Sequence, residues 1–224
     1  MPKYHNTSVE VVLEDLNALV SGLSQEEAKA RLESCGANRL PEPPKRSVLI
    51  RFGLHFHNIL IYVLISSAFI TALLNHWIDT FVILAVVFAN AIIGFIQEGK
   101  AEKAMDAIRH MLAPHANVLR GGARLSIVGE NLVPGDIVLL EAGDKVPADL
   151  RLVSAHGLSV QESILTGESV PVEKHIRPVA VEASIGDRAC MVFSGTLVTS
   201  GQAKGVVVAT GMNTEIGRIS GLLT

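Results

Sequence analysis

The chain has 224 residues, 49% of them hydrophobic, a formal net charge of -3 and a mean hydropathy of +0.39. That is apolar for an ordinary soluble domain and points to membrane segments, while the absence of a basic excess excludes a nucleic-acid footprint. The two cysteines, Cys35 and Cys190, lie far apart and read as free thiols in a reducing compartment, with neither a disulfide framework nor a zinc site. No basic n-region followed by a short apolar stretch opens the chain, so no secretory signal peptide is expected.

Met1 to Asn6 read as a loose polar terminus. From Val9 to Val20, the spacing of Val12, Leu16, Leu19 and Val20 predicts one amphipathic helical face. Gly22 breaks it, and Ser24 with Glu27 forms a capping box that starts a second helix carrying Ala28, Leu32 and Cys35. Gly36 stops that helix, and the prolines between Asn38 and Pro44 forbid its return.

Two apolar runs follow, at about 58–75 and 78–97, each close to the roughly 20 residues that span a bilayer. Lys45, Arg46 and Arg51 precede the first, and Lys100, Lys103 and Arg109 follow the second. The link from Asn75 to Asp79 holds no Lys or Arg. The positive-inside rule then places both ends in the cytoplasm and Trp77 in the far interface. Asn90 is the one strongly polar group deep in the second run. It either hydrogen-bonds a neighbouring helix, the reading preferred here, or lies on an ion path. His55 and His57 read as interfacial imidazoles and not as ligands. Past Gln97 the helix is expected to continue into water on a stripe of Ala101, Ala104, Met105, Ile108, Met111 and Leu112, ending at Pro114.

The remainder is β-rich. Residues 117–120 and 123–128 flank Gly121-Gly122, a two-residue hairpin turn. Val133-Pro-Gly-Asp136 is a second turn. Short strands are expected at 137–140, 150–153, 158–162, 191–193, 195–198 and 204–210, and a helix at 214–223. Many short strands at this spacing predict a sandwich or jelly-roll. Asp136, Asp144 and Asp149 are expected to hold turns, since no carboxylate cluster supplies the oxygens a Ca²⁺ or Mg²⁺ site needs. Glu141-Ala-Gly-Asp-Lys145 lacks the spacing of a phosphate loop.

Between the strands sits Ser163-Ile-Leu-Thr-Gly-Glu-Ser169. Gly167 permits a sharp turn, Thr166 and Ser169 can brace it with their hydroxyls, and Glu168 is presented on a polar loop. A lone loop glutamate is ordinarily just solvated. Here the surrounding run resembles the signature loop of the actuator domain of P-type ATPases, ion pumps that pass through an aspartyl-phosphate. The resemblance covers essentially the whole chain. It extends to Pro134-Gly-Asp136, Gly143 to Asp149, Glu162 to Ser169, Gly195-Thr196 and Thr210-Gly211 with Thr214 and Gly217. Gly22 to Ala28 and Gly36 to Glu42 are similar to the N-terminal segment of the cation-pumping branch. No Cys-x-x-Cys occurs, which disfavours the heavy-metal branch.

The resemblance implies an α+β chain: an N-terminal helical segment at 1–50, a two-helix transmembrane hairpin at 51–100, and an all-β actuator domain of distorted jelly-roll or sandwich form at 101–224, entered by a helix. It implies that Glu168 positions water for dephosphorylation while Thr166, Gly167 and Ser169 shape the loop. It makes the protein an integral multi-pass protein of the plasma or bacterial inner membrane, with cap and β domain cytoplasmic. The Asp-Lys-Thr-Gly-Thr run on whose aspartate such pumps are phosphorylated is absent. So are a nucleotide-binding domain and the later membrane helices. A fragment, a truncated product or an excised piece is therefore expected, inactive alone. Its expected partners are the lipid bilayer, the phosphorylation domain and the remaining helices. No cofactor is expected within this stretch; ATP and Mg²⁺ are implied for the complete pump, and the branch points to Ca²⁺ as cargo. The alternative is a non-catalytic, membrane-anchored β-domain binding protein.

Overall fold

The computed structural model describes residues 4–40, 47–111 and 115–222. The expected Pro-rich break at 41–44, Lys45, Arg46, Leu112, the stop at Pro114 and the stripe side chains of Met105, Ile108 and Met111 lie outside what is described. The chain divides into two compact units, residues 4–40 with 115–222, and residues 47–111. It combines helices with one antiparallel sheet.

The terminal residues are less loose than expected. Tyr4–Asn6 form a 3₁₀ turn with His5 buried, because the fully buried Arg151 guanidinium donates to the carbonyls of Tyr4 at 3.0 Å and Thr7 at 3.0 Å. Helix α1, Val9–Asp15, is shorter than its apolar spacing suggested. Asn17 takes a positive φ of 45°, which ends the helical path and leaves Leu19 and Val20 exposed. Helix α2, Gln25–Cys35, starts at the capping box of Ser24 and Glu27 and ends at Gly36.

Residues 47–111 are helical. Helix α3, Val48–Leu54, was not anticipated; it packs on α5 through Phe52 and Phe95, whose ring centres are 5.8 Å apart. Helix α4, Ile59–Leu73, is followed by α5, Trp77–Met111. Ile61 and Ala68 of α4 and Val87 and Ala91 of α5 are buried, and the Thr71 and Thr80 hydroxyls meet at 2.9 Å. Outward, Ile59, Val63, Phe69, Ile78, Phe81 and Val82 are exposed. One helix, α5, is long and apolar enough to cross a membrane; α4, at 15 residues, is shorter than that. Asn90 is exposed on α5. His55 meets Glu98 at 2.9 Å, and Arg51 pairs with both Glu98 and Glu102. These contacts tie α3 to the polar stretch of α5.

The sheet runs β2-β1-β3-β7-β4-β5, with β6 also paired to β4, all antiparallel. Strands β1, His115–Arg120, and β2, Ala123–Val128, meet at Gly121-Gly122, both with positive φ, as a tight hairpin turn requires. Next come β3, Ile137–Glu141, and β4, Asp149–Gln161. After a short helix α6, Ser163–Thr166, follow β5, Val172–Glu173, β6, Met191–Val192, and β7, Leu197–Ala209. Helix α7 is Glu215–Leu222. The four strands expected at 150–153, 158–162, 195–198 and 204–210 are thus two long ones. They stay paired across four register shifts, which absorb the polar residues between the apolar segments.

Alternation along the strands separates two cores. Val118, Val138, Leu150, Leu152 and Val207 point into one apolar cluster, together with Leu158 and Val160 from the far end of β4. Their neighbours Leu119, Ile137, Val153 and Val206 face the other way, onto Val12 of α1, Leu23 of the link and Ala28 of α2. The cap is therefore the second layer over this sheet, and its apolar stripe is satisfied there.

Candidate functional site

The chain leaves β4 at Gln161 and winds once as α6, a helical turn where a plain loop was expected. The Glu162 carbonyl accepts from the backbone N–H of Leu165 at 2.9 Å and of Thr166 at 3.0 Å. Gly167, at a φ of 77°, reverses the path at the end of that turn, as glycine does where a Cβ is penalised. The Thr166 hydroxyl donates to the Glu162 carbonyl and accepts from the Glu168 N–H, both at 3.2 Å. Leu165 packs against the cluster of Cys190, Met191 and Phe193, whereas Ile164 is exposed. Glu168, Ser169, Val170 and Pro171 are all exposed, and among the described residues Glu168 has no ion-pair partner. Strand β5 then returns the chain, with Val172 opposite Val160. Of the four residues singled out from the sequence, Thr166 and Gly167 form the bend, and Glu168 and Ser169 project beyond it.

Beneath this tip lies a pair that the sequence did not reveal. Lys174 Nζ lies 2.6 Å from Glu162 Oε1, and both side chains are sealed from solvent. Burial pushes the Glu162 carboxyl up and the Lys174 ammonium down, each against the opposing pull of its partner. Lys174 Nζ also sits 6.0 Å from the centre of the Phe193 ring. Long charged side chains usually read as surface, so nothing in the sequence marked the two as buried.

The three aspartates bond backbone groups. Asp136 accepts from Val133 N–H at 3.0 Å and pairs with Arg120 through bonds of 2.9 and 2.7 Å. Asp144 accepts from Glu141 N–H at 2.9 Å. Asp149 accepts from Ser194 and Glu215 N–H, both at 2.8 Å. Its burial outweighs those bonds and pushes its carboxyl up to about 6. Among the described residues no group of three His, Cys, Asp or Glu side chains stands ready for a metal ion. A cavity of about 710 Å³ opens between Tyr4, Asp149, Arg188, Phe193, Glu215 and Arg218; no residue of the 163–171 loop lines it.

The family profile described as the P-type ATPase actuator domain matches residues 110–224, slightly more than half of the chain. This chain belongs to the P-type ATPases. A second profile, the N-terminus of cation transporters and ATPases, matches residues 4–71. Among curated proteins it is similar to a probable cation-transporting ATPase F of Mycobacterium bovis, 52% identical over 90% of this chain and 22% of that protein. The calcium-transporting ATPase of Bacillus subtilis is 41% identical over 99% of the chain and 25% of its own length. The cation-transporting ATPase pma1 of Synechocystis is 44% identical over 97% and 24%. The chain therefore spans about a quarter of the length of these relatives. Within this P-type ATPase chain the Glu168 loop lies in the actuator match, and α4 lies mostly in the N-terminal one.

Proposed function

We propose that this chain is the actuator and first membrane portion of an ATP-driven cation pump, coupling aspartyl-phosphate hydrolysis to ion translocation. The observation that carries the reading is Glu168, an exposed carboxylate at the tip of a segment whose base is buried and whose turn is fixed by Gly167 and Thr166. An acyl phosphate needs in-line attack by water, so catalysis is positioning and charge. Glu168 orients that water and accepts its proton, Thr166 and Gly167 set its backbone direction, and Ser169 completes the loop. ATP and Mg²⁺ serve the complete pump and supply the phosphoryl group and its charge neutralisation.

The chain parts by task into 1–50, 51–100 and 101–224: a cap, a transmembrane hairpin and an actuator. Helix α4 with its flanking residues and α5 both cross the bilayer, making the protein multi-pass, with Arg51, Lys100 and Lys103 on the cytoplasmic side, the side proposed also for cap and actuator. The β unit is read as a distorted jelly-roll, because Val118 of β1 and Val160 of β4 share one core although their strands are apart on the hydrogen-bonded path. The lipid bilayer, the phosphorylation domain and the remaining helices are the partners, in a plasma or bacterial inner membrane. Ca²⁺ is the proposed cargo, in keeping with the named activity of the Bacillus subtilis relative. Nothing favours the alternative of a membrane-anchored binding protein. The test is reconstitution of the complete pump carrying this chain in vesicles, where ATP should drive Ca²⁺ accumulation and Glu168→Gln should stop it. Uptake that survives the substitution would refute the role of Glu168.

A further inference from the structure

Glu162 and Lys174 stand at the two ends of the segment that carries Glu168. Their side chains are 1% and 0% exposed, 2.6 Å apart, and among the described residues neither the carboxylate nor the ammonium hydrogen-bonds any third group. Two charges taken out of water are an expensive way to fill that space, since apolar side chains of similar volume usually serve stability as well or better. Packing alone therefore does not account for the pair.

The bonding around it does. The Glu162 carbonyl receives the Leu165 and Thr166 N–H groups and the Thr166 hydroxyl, and that hydroxyl receives the Glu168 N–H. On the other side, Lys174 N–H donates to the Leu158 carbonyl at 2.8 Å, tying the returning strand to β4. The tip itself, from Gly167 to Pro171, is exposed. Its direction must come from the base. We propose that the Glu162–Lys174 pair is a positioning clamp that fixes the direction in which Glu168 is presented. Two apolar chains can slide past each other; a lone carboxylate and a lone ammonium in a dry pocket have one low-energy arrangement. The hydrolytic half of this proposal rests on Glu168 acting as described above; the geometric half does not.

The test replaces both residues at once, Glu162→Leu with Lys174→Met, so that no single charge is stranded. In the 224-residue chain in detergent, the clamp predicts a melting temperature equal to or above that of the parent. It also predicts amide hydrogen exchange at least about tenfold faster across residues 163–173, since the loop has lost its fixed base. Unchanged exchange overturns the proposal, and so does a variant that fails to fold, which would make the pair a stability element. In the complete pump the same double change should leave phosphoenzyme formation from ATP intact and slow its decay about 100-fold, the scale of a small misplacement of a reacting group. Faster exchange with normal decay would keep the clamp and remove Glu168 from the hydrolysis, so the two failures are distinguishable.

Discussion

The hydroxyl of Thr166 is shared between Glu162 and Glu168: it donates to the carbonyl of the first and accepts the N–H of the second, at 3.2 Å each. One side chain thus fixes the backbone on both sides of the Gly167 bend. Glu168 itself adds no packing. Glu168→Gln should shift stability by no more than about 0.5 kcal/mol, as exposed substitutions do, while slowing phosphoenzyme decay in the complete pump by about 10²–10⁴-fold. Thr166→Val should lose the bridge and slow decay too, whereas Thr166→Ser should keep both. A thermal melt paired with a decay time course checks the set. A large stability loss with normal decay would make Glu168 structural.

Two glycines with similar backbone angles should respond very differently to alanine. Gly167 has a φ of 77° and open space where a Cβ would stand, so Gly167→Ala should cost only the left-handed penalty, about 1 kcal/mol. Gly22 has a φ of 85°, but its Cβ would lie 1.7 Å from the Leu119 carbonyl oxygen. Gly22→Ala must push the cap off the hairpin, and about 3 kcal/mol or more is expected. Denaturant midpoints of the two variants decide this, and equal losses would contradict the close approach.

Asp136 is completely buried, against an Arg120 side chain that is nearly so. Asp136→Ala strands the guanidinium and should cost about 3–5 kcal/mol. A loss under 1 kcal/mol in the same denaturation assay would mean that water reaches Arg120.

Asp149 supplies a pH signature. Burial raises its carboxyl from 3.8 to about 6, with the Glu215 carboxylate adding to the rise and two backbone N–H bonds opposing it. The folded chain therefore holds this proton more tightly than the unfolded chain does. That favours the fold below about pH 4, and the contribution is lost as pH rises through about 6. Between pH 4 and pH 7 the parent should lose on the order of 2–3 kcal/mol relative to Asp149→Asn. Other carboxylates titrate in both proteins and cancel in the difference. A difference that stays flat with pH would show that the backbone bonds outweigh burial.

The topology proposal has a direct check. A cysteine at position 76, in the short link between α4 and α5, should react with an impermeant thiol reagent in whole cells. Cys190, buried and donating to the His5 carbonyl at 3.2 Å, should not. Labelling at Cys190 alone would reverse the orientation.

Much of this was legible in the sequence because it is local. The Ser24–Glu27 box, the Gly121-Gly122 turn and the Val133–Asp136 turn involve neighbours, and each formed as its residues dictate. The bend at Gly167 was legible for the same reason. Arg151 was not: between Leu150 and Leu152 it reads as an outward strand residue, and carbonyls arriving from elsewhere in the chain, those of Tyr4, Thr7 and Ile176, enclose it. The Glu162–Lys174 pair is hidden likewise, since two charges twelve residues apart carry no signal that they will meet in a dry pocket. The joining of four short strands into β4 and β7 depends on cross-strand register, which apolar spacing along one strand does not specify.

The layered contact between Leu23 and Val206 sets an order on the ribosome. The N-terminal helices precede β7, one of the strands that cover them, by about 180 residues. At about 5–20 residues per second, Val12 and Leu23 wait on the order of 10–40 s for Val206, with their apolar faces incompletely covered. During that interval α4 and α5 emerge, and β1, β3 and β4 then offer the cap Leu119, Ile137 and Val153 before Val206 completes the layer. Nascent chains stopped before β7 should therefore carry a cap that is only partly covered, a binding target for chaperones that shrinks once Val206 leaves the exit tunnel.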